Sequence, residues 1–318
     1  MAIFSSDKET AIVQLSEVAK INKSTPWNIF QIFLNDAKTA FLTPYLGASL
    51  LAKLESIDES STAAEDKPYT ALIPMVRRTL GPYAVGLATD EMSIATGDSG
   101  HTVVKSVTAT PASDAKIAKA KESLFSRAWA NMEVLLSYLE ANSESITEWK
   151  DTRYQKNRKT TYFASAEEFQ DNGLVDIGYS RLTFEKLRSL IIRIENSEVA
   201  NLLGSVAGII LATTEDATQL AKNNKMLVLV RAFIGTRVAE LHTSKNTRVQ
   251  RSKNAELEYN AVIHPLYADE SEDTVNYFTQ QAAYWYGKIL ESLSEDFSVD
   301  ESGKVDWNDK DKHVFFAG

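Results

Sequence analysis

Residues 72–84, LIPMVRRTLGPYA, resemble residues 226–238, MLVLVRAFIGTRV, which follow them by 154 positions. In both stretches an arginine (Arg77, Arg231) precedes a glycine (Gly81, Gly235) by one helical turn. The spacing of the apolar residues predicts a helix in each half of the chain. We therefore predict that the two arginines occupy matching positions on matching helices. Each should hold a carboxylate or helix-end carbonyls, because a guanidinium on a buried face needs partners.

The similarity continues on both sides of these two helices. Upstream, at a shift of 157 positions, Trp27, Phe30, Phe33, Leu46 and Gly47 fall on Phe184, Leu187, Leu190, Leu203 and Gly204. Downstream, Leu124, Ala128, Leu135 and Leu139 fall on Phe278, Ala282, Ile289 and Leu293. The sequence predicts a mostly α protein with two tandem helical bundles that arose by internal duplication, each with a small β-hairpin.

Turn signals and polar segments divide the chain into four predicted parts. They are a first copy at residues 1–145, a connector at 146–180, a second copy at 181–296 and a C-terminal tail at 297–318. Short β-prone segments predict one hairpin near residues 92–107 and another near residues 245–261, with a third between Val299 and Trp307 in the tail.

Composition limits the classes of protein that the chain can belong to. A hydrophobic content of 44% allows a packed core, and a net charge of −9 opposes general binding to nucleic acid and to anionic membranes. The absence of cysteine excludes disulfides and thiolate metal sites. The longest apolar stretch, residues 199–212, is too short to cross a bilayer, and the first residues do not resemble a signal peptide. Because this stretch contains Asn201, Gly204 and Gly208, we predict that it is the end of one buried helix, a turn and the start of the next. We expect no membrane association.

Motifs with catalytic or metal-binding potential are weak. The sequence GDSG at residues 97–100 resembles the surroundings of a serine protease nucleophile, but a hairpin turn is favoured because the predicted scaffold is helical. The histidines have no metal-ligand spacing, and the acidic residues of the tail do not fit a calcium loop. No glycine-rich phosphate loop is present. We expect no enzymatic activity, no metal and no cofactor.

Two basic clusters and the terminal aromatic pair are the candidate partner contacts. The clusters are Arg153, Lys156, Arg158 and Lys159 in the connector, and Lys245, Arg248 and Arg251 in the second predicted hairpin. They could be solvated surface, could bind an acidic protein or could bind nucleic acid. Phe315 and Phe316 lie outside any periodic element and could cover their own core or dock on a neighbouring subunit.

Four segments together resemble a family of proteins encoded by phages and prophages of Bacteroidota. They are AFLTPYLG at 40–47, TPAS at 110–113, LLSYLEAN at 135–142 and YSRLTFEKLRSLIIRIENSEVANLLG at 179–204. The single-copy unit, a helical bundle with a hairpin, is also similar to phage head–tail connector proteins, which form rings beneath the portal.

The resemblance implies a structural virion protein of a tailed phage, most simply a head–tail connector (neck) ring subunit assembled in the host bacterial cytoplasm. It implies a homo-oligomeric ring of twelve copies, or of six if each duplicated chain supplies two equivalent bundles. Portal and tail proteins would be its neighbours, and DNA would pass without sequence-specific binding. A tail or minor capsid component is the alternative within this class, and an uncharacterised hydrolase is the alternative outside it.

Overall fold

A computed structural model of the chain describes residues 3–23, 25–92, 94–97, 100–103, 113–249 and 268–297. The protein is mostly helical, as the sequence predicts. Its described residues form two compact units, one ending at Arg158 and the other beginning at Lys159. This boundary falls inside the segment 146–180 that the sequence predicts as a connector.

The first unit is an N-terminal helix followed by a helical core and two short closing helices. Its elements are α1 (Lys8–Val18), α2 (Trp27–Ala37), a π-helical turn (Lys38–Leu42), α3 (Thr43–Ser56), α4 (Lys67–Met92), the strands β1 (Ile94–Gly97) and β2 (Gly100–Val103), α5 (Asp114–Ala141), α6 (Thr147–Lys150) and α7 (Arg153–Asn157). The two strands pair in antiparallel fashion with Gly97 opposite Gly100.

The core of the first unit lies where α4 contacts α2 and α5. On α2 the buried residues include Trp27, Phe30 and Phe33, whose spacing places them on one helical face. Leu72 and Val76 of α4 are fully buried in the same unit. Together these side chains supply the apolar burial that stabilises the bundle.

The second unit is built of helices throughout its described residues. Its elements are α8 (Ala166–Gly173), α9 (Arg181–Ile194), a π-helical turn (Glu195–Val199), α10 (Ala200–Leu203), α11 (Val206–Leu211), α12 (Ala217–Val249) and α13 (Ala268–Phe297). Helix α12 packs against α13, α8 and α9 and contributes the buried Met226, Val230 and Ile234 to the core.

A π-helical turn and a glycine with positive φ recur in the same order in both units. Gly47 interrupts α3 with φ 76°, and Gly204 ends α10 with φ 52°. A side chain with a Cβ rarely adopts such angles, so glycine permits the sharp change of direction after each π-helical turn. The predicted turn within the apolar stretch 199–212 is therefore confirmed at Gly204.

The second predicted hairpin, at residues 245–261, is wrong at its start. Helix α12 continues through Lys245 and Arg248 to Val249, and residues 250–261 lie outside the described part of the chain. No glycine or proline stands between Gly235 and Pro265 to stop the helix. Continuing an existing helix adds one backbone hydrogen bond per residue, and this is easier than nucleating an isolated strand pair. The predicted tail hairpin also lies outside the described residues.

The close approach of α8 to α12 depends on a pair of glycines. A Cβ added at Gly235 would overlap the backbone of Gly173, whose Cα would be 2.6 Å away. In the first unit, Gly81 on α4 faces α1 in a related way, since an added Cβ would come within 2.5 Å of Val18. A side chain at Gly235 would therefore clash with backbone, whereas one at Gly81 would clash with the end of a side chain.

We expect Gly235→Ala to lower the free energy of unfolding by about 1–3 kcal/mol, because the added methyl group forces α8 away from α12. Gly287→Ala on α13 is the matched control. No described atom lies within 4 Å of its added Cβ, so this change should be neutral or stabilising by up to about 1 kcal/mol. Urea denaturation of both variants measures the difference. Equal effects of the two substitutions would show that the glycine contact does not set the helix spacing.

Candidate functional site

Arg77 on α4 fastens the beginning of the first unit to its central helix. The residue is 8% exposed, and its Nε donates a hydrogen bond of 2.6 Å to the carbonyl oxygen of Ile3. Its two terminal nitrogens donate to the carboxylate of Glu59 at 3.3 and 2.8 Å. The guanidinium also lies 5.7 Å from the ring centroid of Phe4. One side chain therefore holds the N-terminal segment and the loop before α4 together.

Arg231 on α12 does the same for the second unit. Its Nε donates to the carbonyl oxygen of Tyr162 at 2.8 Å, and its Nη2 lies 2.6 Å from the Glu168 carboxylate on α8. The other oxygen of Glu168 accepts the backbone N–H of Ala164. The prediction that Arg77 and Arg231 each hold a carboxylate is confirmed. The carbonyls that they also hold belong to the segments that enter each unit and not to helix ends. We call each of these arrangements an arginine clamp.

A buried carboxylate reinforces the clamp of the second unit. Glu195, in the π-helical turn, is 4% exposed and accepts hydrogen bonds from Thr160 Oγ1 at 2.7 Å and from the N–H groups of Thr161 and Tyr162, each at 3.2 Å. Burial, together with the nearby Glu195 charge, raises the pKa of Tyr162 to about 12. The sequence pattern did not predict that Glu195 is buried. The sequence did contain a sign of this burial, because Glu195 directly continues the buried apolar face that Ile191 and Ile194 form on α9.

A second ionic cluster ties α12 to the π-helical turn. Arg237 Nε lies 2.9 Å from Glu198, and its Nη1 lies 2.6 Å from Glu240 on the next turn of α12. Burial alone would lower the pKa of Arg237, but hydrogen bonds and charge from Glu240 and Glu198 outweigh it and raise that pKa. The cluster joins two segments of the second unit.

The predicted basic residues of the connector lie at the end of the first unit and the beginning of the second. Arg153 and Lys156 are exposed on α7, and Lys156 pairs with the exposed Asp151 at 3.0 Å. Arg158 is half-buried and Lys159 is exposed. Lys245 and Arg248 are on α12 and not on a hairpin, and their side chains are outside the described residues, as are Arg251, Phe315 and Phe316. Of the two predicted clusters, only the first therefore lies among the residues whose side chains are described.

The remaining candidates for chemistry do not form a site in the described part of the chain. No three side chains of the types that bind metal ions converge among the described residues. His242 lies on α12 and His101 on β2, whereas Asp98, Ser99, His264 and His313 are outside the described residues. Among the described helices, none combines the length and the apolar composition needed to cross a membrane.

We expect Arg231→Met and Arg77→Met each to lower the free energy of unfolding by about 1.5–3 kcal/mol, because hydrogen bonds to charged partners are lost. Lys156→Met is the matched control. Its ion pair with Asp151 is exposed, so its removal should cost about 0–1 kcal/mol. Chemical denaturation of the three variants gives the comparison, and a clamp variant as stable as the control would contradict a structural role for that clamp.

We also expect Tyr162 to make stability pH-dependent in alkaline solution. The folded state raises the pKa of this phenol from 10 to about 12, so it binds the proton more tightly than the unfolded state does. The contribution is complete below pH 10 and is lost as the pH rises through 12. In urea denaturation, the stability difference between the parent protein and Tyr162→Phe should therefore shift in favour of the variant over this interval. A difference that stays constant with pH would contradict the assignment.

Comparison with known proteins gives one partial match. Residues 42–159 match the model of a family described as "Family of unknown function (DUF6712)". The match runs from the end of the first π-helical turn to the boundary between the two units, so it covers α3 to α7. No curated protein and no solved structure matches the chain.

Proposed function

We propose that the two units are copies of one helical design. In support, each has a π-helical turn followed by a glycine with positive φ, at residues that differ by the same 157 positions. The arginines of the two clamps lie on the corresponding long helices, α4 and α12. Each arginine uses Nε to hold a carbonyl of the segment that begins its unit. The proposed repeat therefore begins at the clamped segment, near Ile3 and near Tyr162.

On this basis the chain is a non-enzymatic structural protein of a tailed phage, a head–tail connector (neck) ring subunit beneath the portal. The observation that carries the proposal is the pair of clamped units, because a duplicated scaffold offers two equivalent sets of surfaces for assembly. The resemblance of four sequence segments to phage and prophage proteins supplies the virion context. Twelve copies form the ring, or six copies that supply twelve equivalent units.

Exposed apolar side chains on both units supply surfaces for contact between subunits. Ile32 on α2 and Val134 on α5 are 61% and 59% exposed, and Val228 on α12 and Tyr277 on α13 are 52% and 56% exposed. Covering such a residue stabilises an assembly by about 25 cal/mol per Å² of apolar surface. In a closed ring the same contact recurs at every subunit boundary.

The exposed basic residues and the negative net charge both suit the partners expected of a neck protein. The exposed Arg153 can meet the acidic face of a portal or tail protein, and Lys156 can do so by exchanging its surface ion pair with Asp151. The net charge of −9 opposes retention of passing DNA. Phe315 and Phe316 supply two large apolar side chains that a neighbouring subunit could bury.

The test of this proposal is the mass and shape of the protein in solution. Size-exclusion chromatography with light scattering should give a particle of twelve or six copies, and negative-stain images should show rings. A protein that stays monomeric alone and in the presence of its portal would contradict the neck assignment. Filaments or shell-like particles would favour the tail or minor capsid alternative.

Phe315→Ala/Phe316→Ala should reduce ring formation while leaving the helical circular dichroism of the subunit unchanged. Phe315→Leu/Phe316→Leu is the matched control, because it keeps two large apolar groups at the same positions and should assemble. Loss of helical signal in the alanine variant would place the two rings in the core of their own subunit and refute their role between subunits.

A further inference from the structure

Helix α13 presents an aromatic and acidic face to the solvent. Tyr277 and Tyr284 are seven residues apart, so they lie on one side of the helix, and they are 56% and 53% exposed. Asp273 lies one turn before Tyr277 on the same side and is also exposed. Exposed tyrosines of this kind favour a protein interface, because interfaces are enriched in aromatic residues relative to the rest of a protein surface.

The corresponding face of α5 carries small side chains. At the shift of 154 positions that relates the two helices, Ser123 corresponds to Tyr277 and Ala130 corresponds to Tyr284. Both small residues are exposed. The two faces therefore occupy matching positions, but one has projecting rings where the other has space for them.

Charge differs between the two faces in the same way. Lys119, exposed on α5, corresponds to Asp273, exposed on α13. Lys116 adds a second exposed positive charge in the first turn of α5, where it opposes the helix dipole, so the stability of α5 does not explain it. On α13 the exposed Glu291 continues the acidic face and forms a surface ion pair of 2.7 Å with Lys288.

We propose that the α5 face of one subunit packs against the α13 face of a second copy of the chain. The two helices run parallel, because this direction places Lys119 beside Asp273 and the two tyrosines over Ser123 and Ala130. A large side chain over a small one fills the space between two helices at the density of a protein interior. A second copy is the partner, because every chain carries both of the complementary faces.

The contact joins two different faces, so a dimer still has a free α5 face at one end and a free α13 face at the other. Such a head-to-tail contact adds further subunits until it closes into a ring or continues as a filament. It deepens the ring proposed above, and it rests on that proposal for the premise that the chain assembles with copies of itself.

Charge reversal on each face tests the pairing in the full chain. Lys119→Glu and Asp273→Lys should each weaken self-association by about tenfold, because like charges then face each other. An equimolar mixture of the two variants should regain the parent assembly, since every α5 face then meets an α13 face of opposite charge. Lys20→Glu, at an exposed lysine outside the face, is the matched control and should assemble like the parent. Analytical ultracentrifugation over a concentration series measures the masses.

Removal of the two rings tests the apolar part of the contact. Tyr277→Ala/Tyr284→Ala should weaken self-association by about thirtyfold or more, because aromatic residues at the centre of an interface carry much of its binding energy. Tyr179→Ala is the matched control, since Tyr179 is 50% exposed but does not lie on α13. Circular dichroism should show the same helical content in both variants.

The outcomes separate this contact from the neck assignment. Recovery of the parent mass in the mixture supports the contact even if the particles are filaments and the neck assignment fails. Rings that form equally well in every variant would overturn the contact and leave the ring proposal in place. A mixture that stays dissociated would overturn the pairing of the two faces, and a protein that is monomeric at every concentration would overturn both the contact and self-assembly into a ring.

Discussion

A bond from an arginine Nε to a backbone carbonyl ties the first segment of each unit to its long helix. Arg77 holds the carbonyl of Ile3, and Arg231 holds the carbonyl of Tyr162. A guanidinium on the inner side of a helix is costly to desolvate unless its donors are satisfied. The entering segment satisfies one donor and a carboxylate satisfies others, so the same contact removes the desolvation cost and fixes the path of the chain.

The rest of each unit follows from that fixed path. In the second unit, the clamped segment leads into α8, and the contact between Gly173 and Gly235 allows α8 to lie directly on α12. Glu195 then binds the same entering segment from the side of the π-helical turn, through Thr160 and two backbone N–H groups. The clamp, the glycine contact and the buried carboxylate therefore all act on one short stretch, residues 160–173.

The carboxylates of the two clamps come from different places. Glu59 lies in the loop before α4, whereas Glu168 lies on α8. The arginine and the carbonyl recur, but the acid does not. This is the expected result if the physical requirement is a negative charge beside the guanidinium, because any nearby carboxylate meets that requirement.

The sequence was most informative where periodicity and repetition agreed. The helical class, the turn at Gly204 and the need of Arg77 and Arg231 for a carboxylate follow from apolar spacing and from the cost of burying a charge. The pattern failed at Lys245 and Arg248, because short polar stretches have similar local preferences in helices and strands and α12 meets no stop signal there. The apolar pattern also did not predict the burial of Glu195, because a charged residue is normally expected on the surface. Its burial depends on hydrogen-bond donors that lie more than thirty residues away in the chain.

The segment 146–180 shows most clearly why the local sequence pattern is not enough to predict which residues are buried. Its polar composition predicts a connector, yet Trp149 and Phe169 within it are fully buried and belong to different units. Trp149 covers the turn at Gly47, and Phe169 on α8 packs near the start of α9 through the ring of Phe184. A few large aromatic residues can anchor an otherwise polar stretch, since each buries far more surface than its share of the sequence suggests. The end of one unit and the start of the next are therefore both structural, and what the sequence presents as a link is the closing segment of one bundle joined directly to the clamped segment of another.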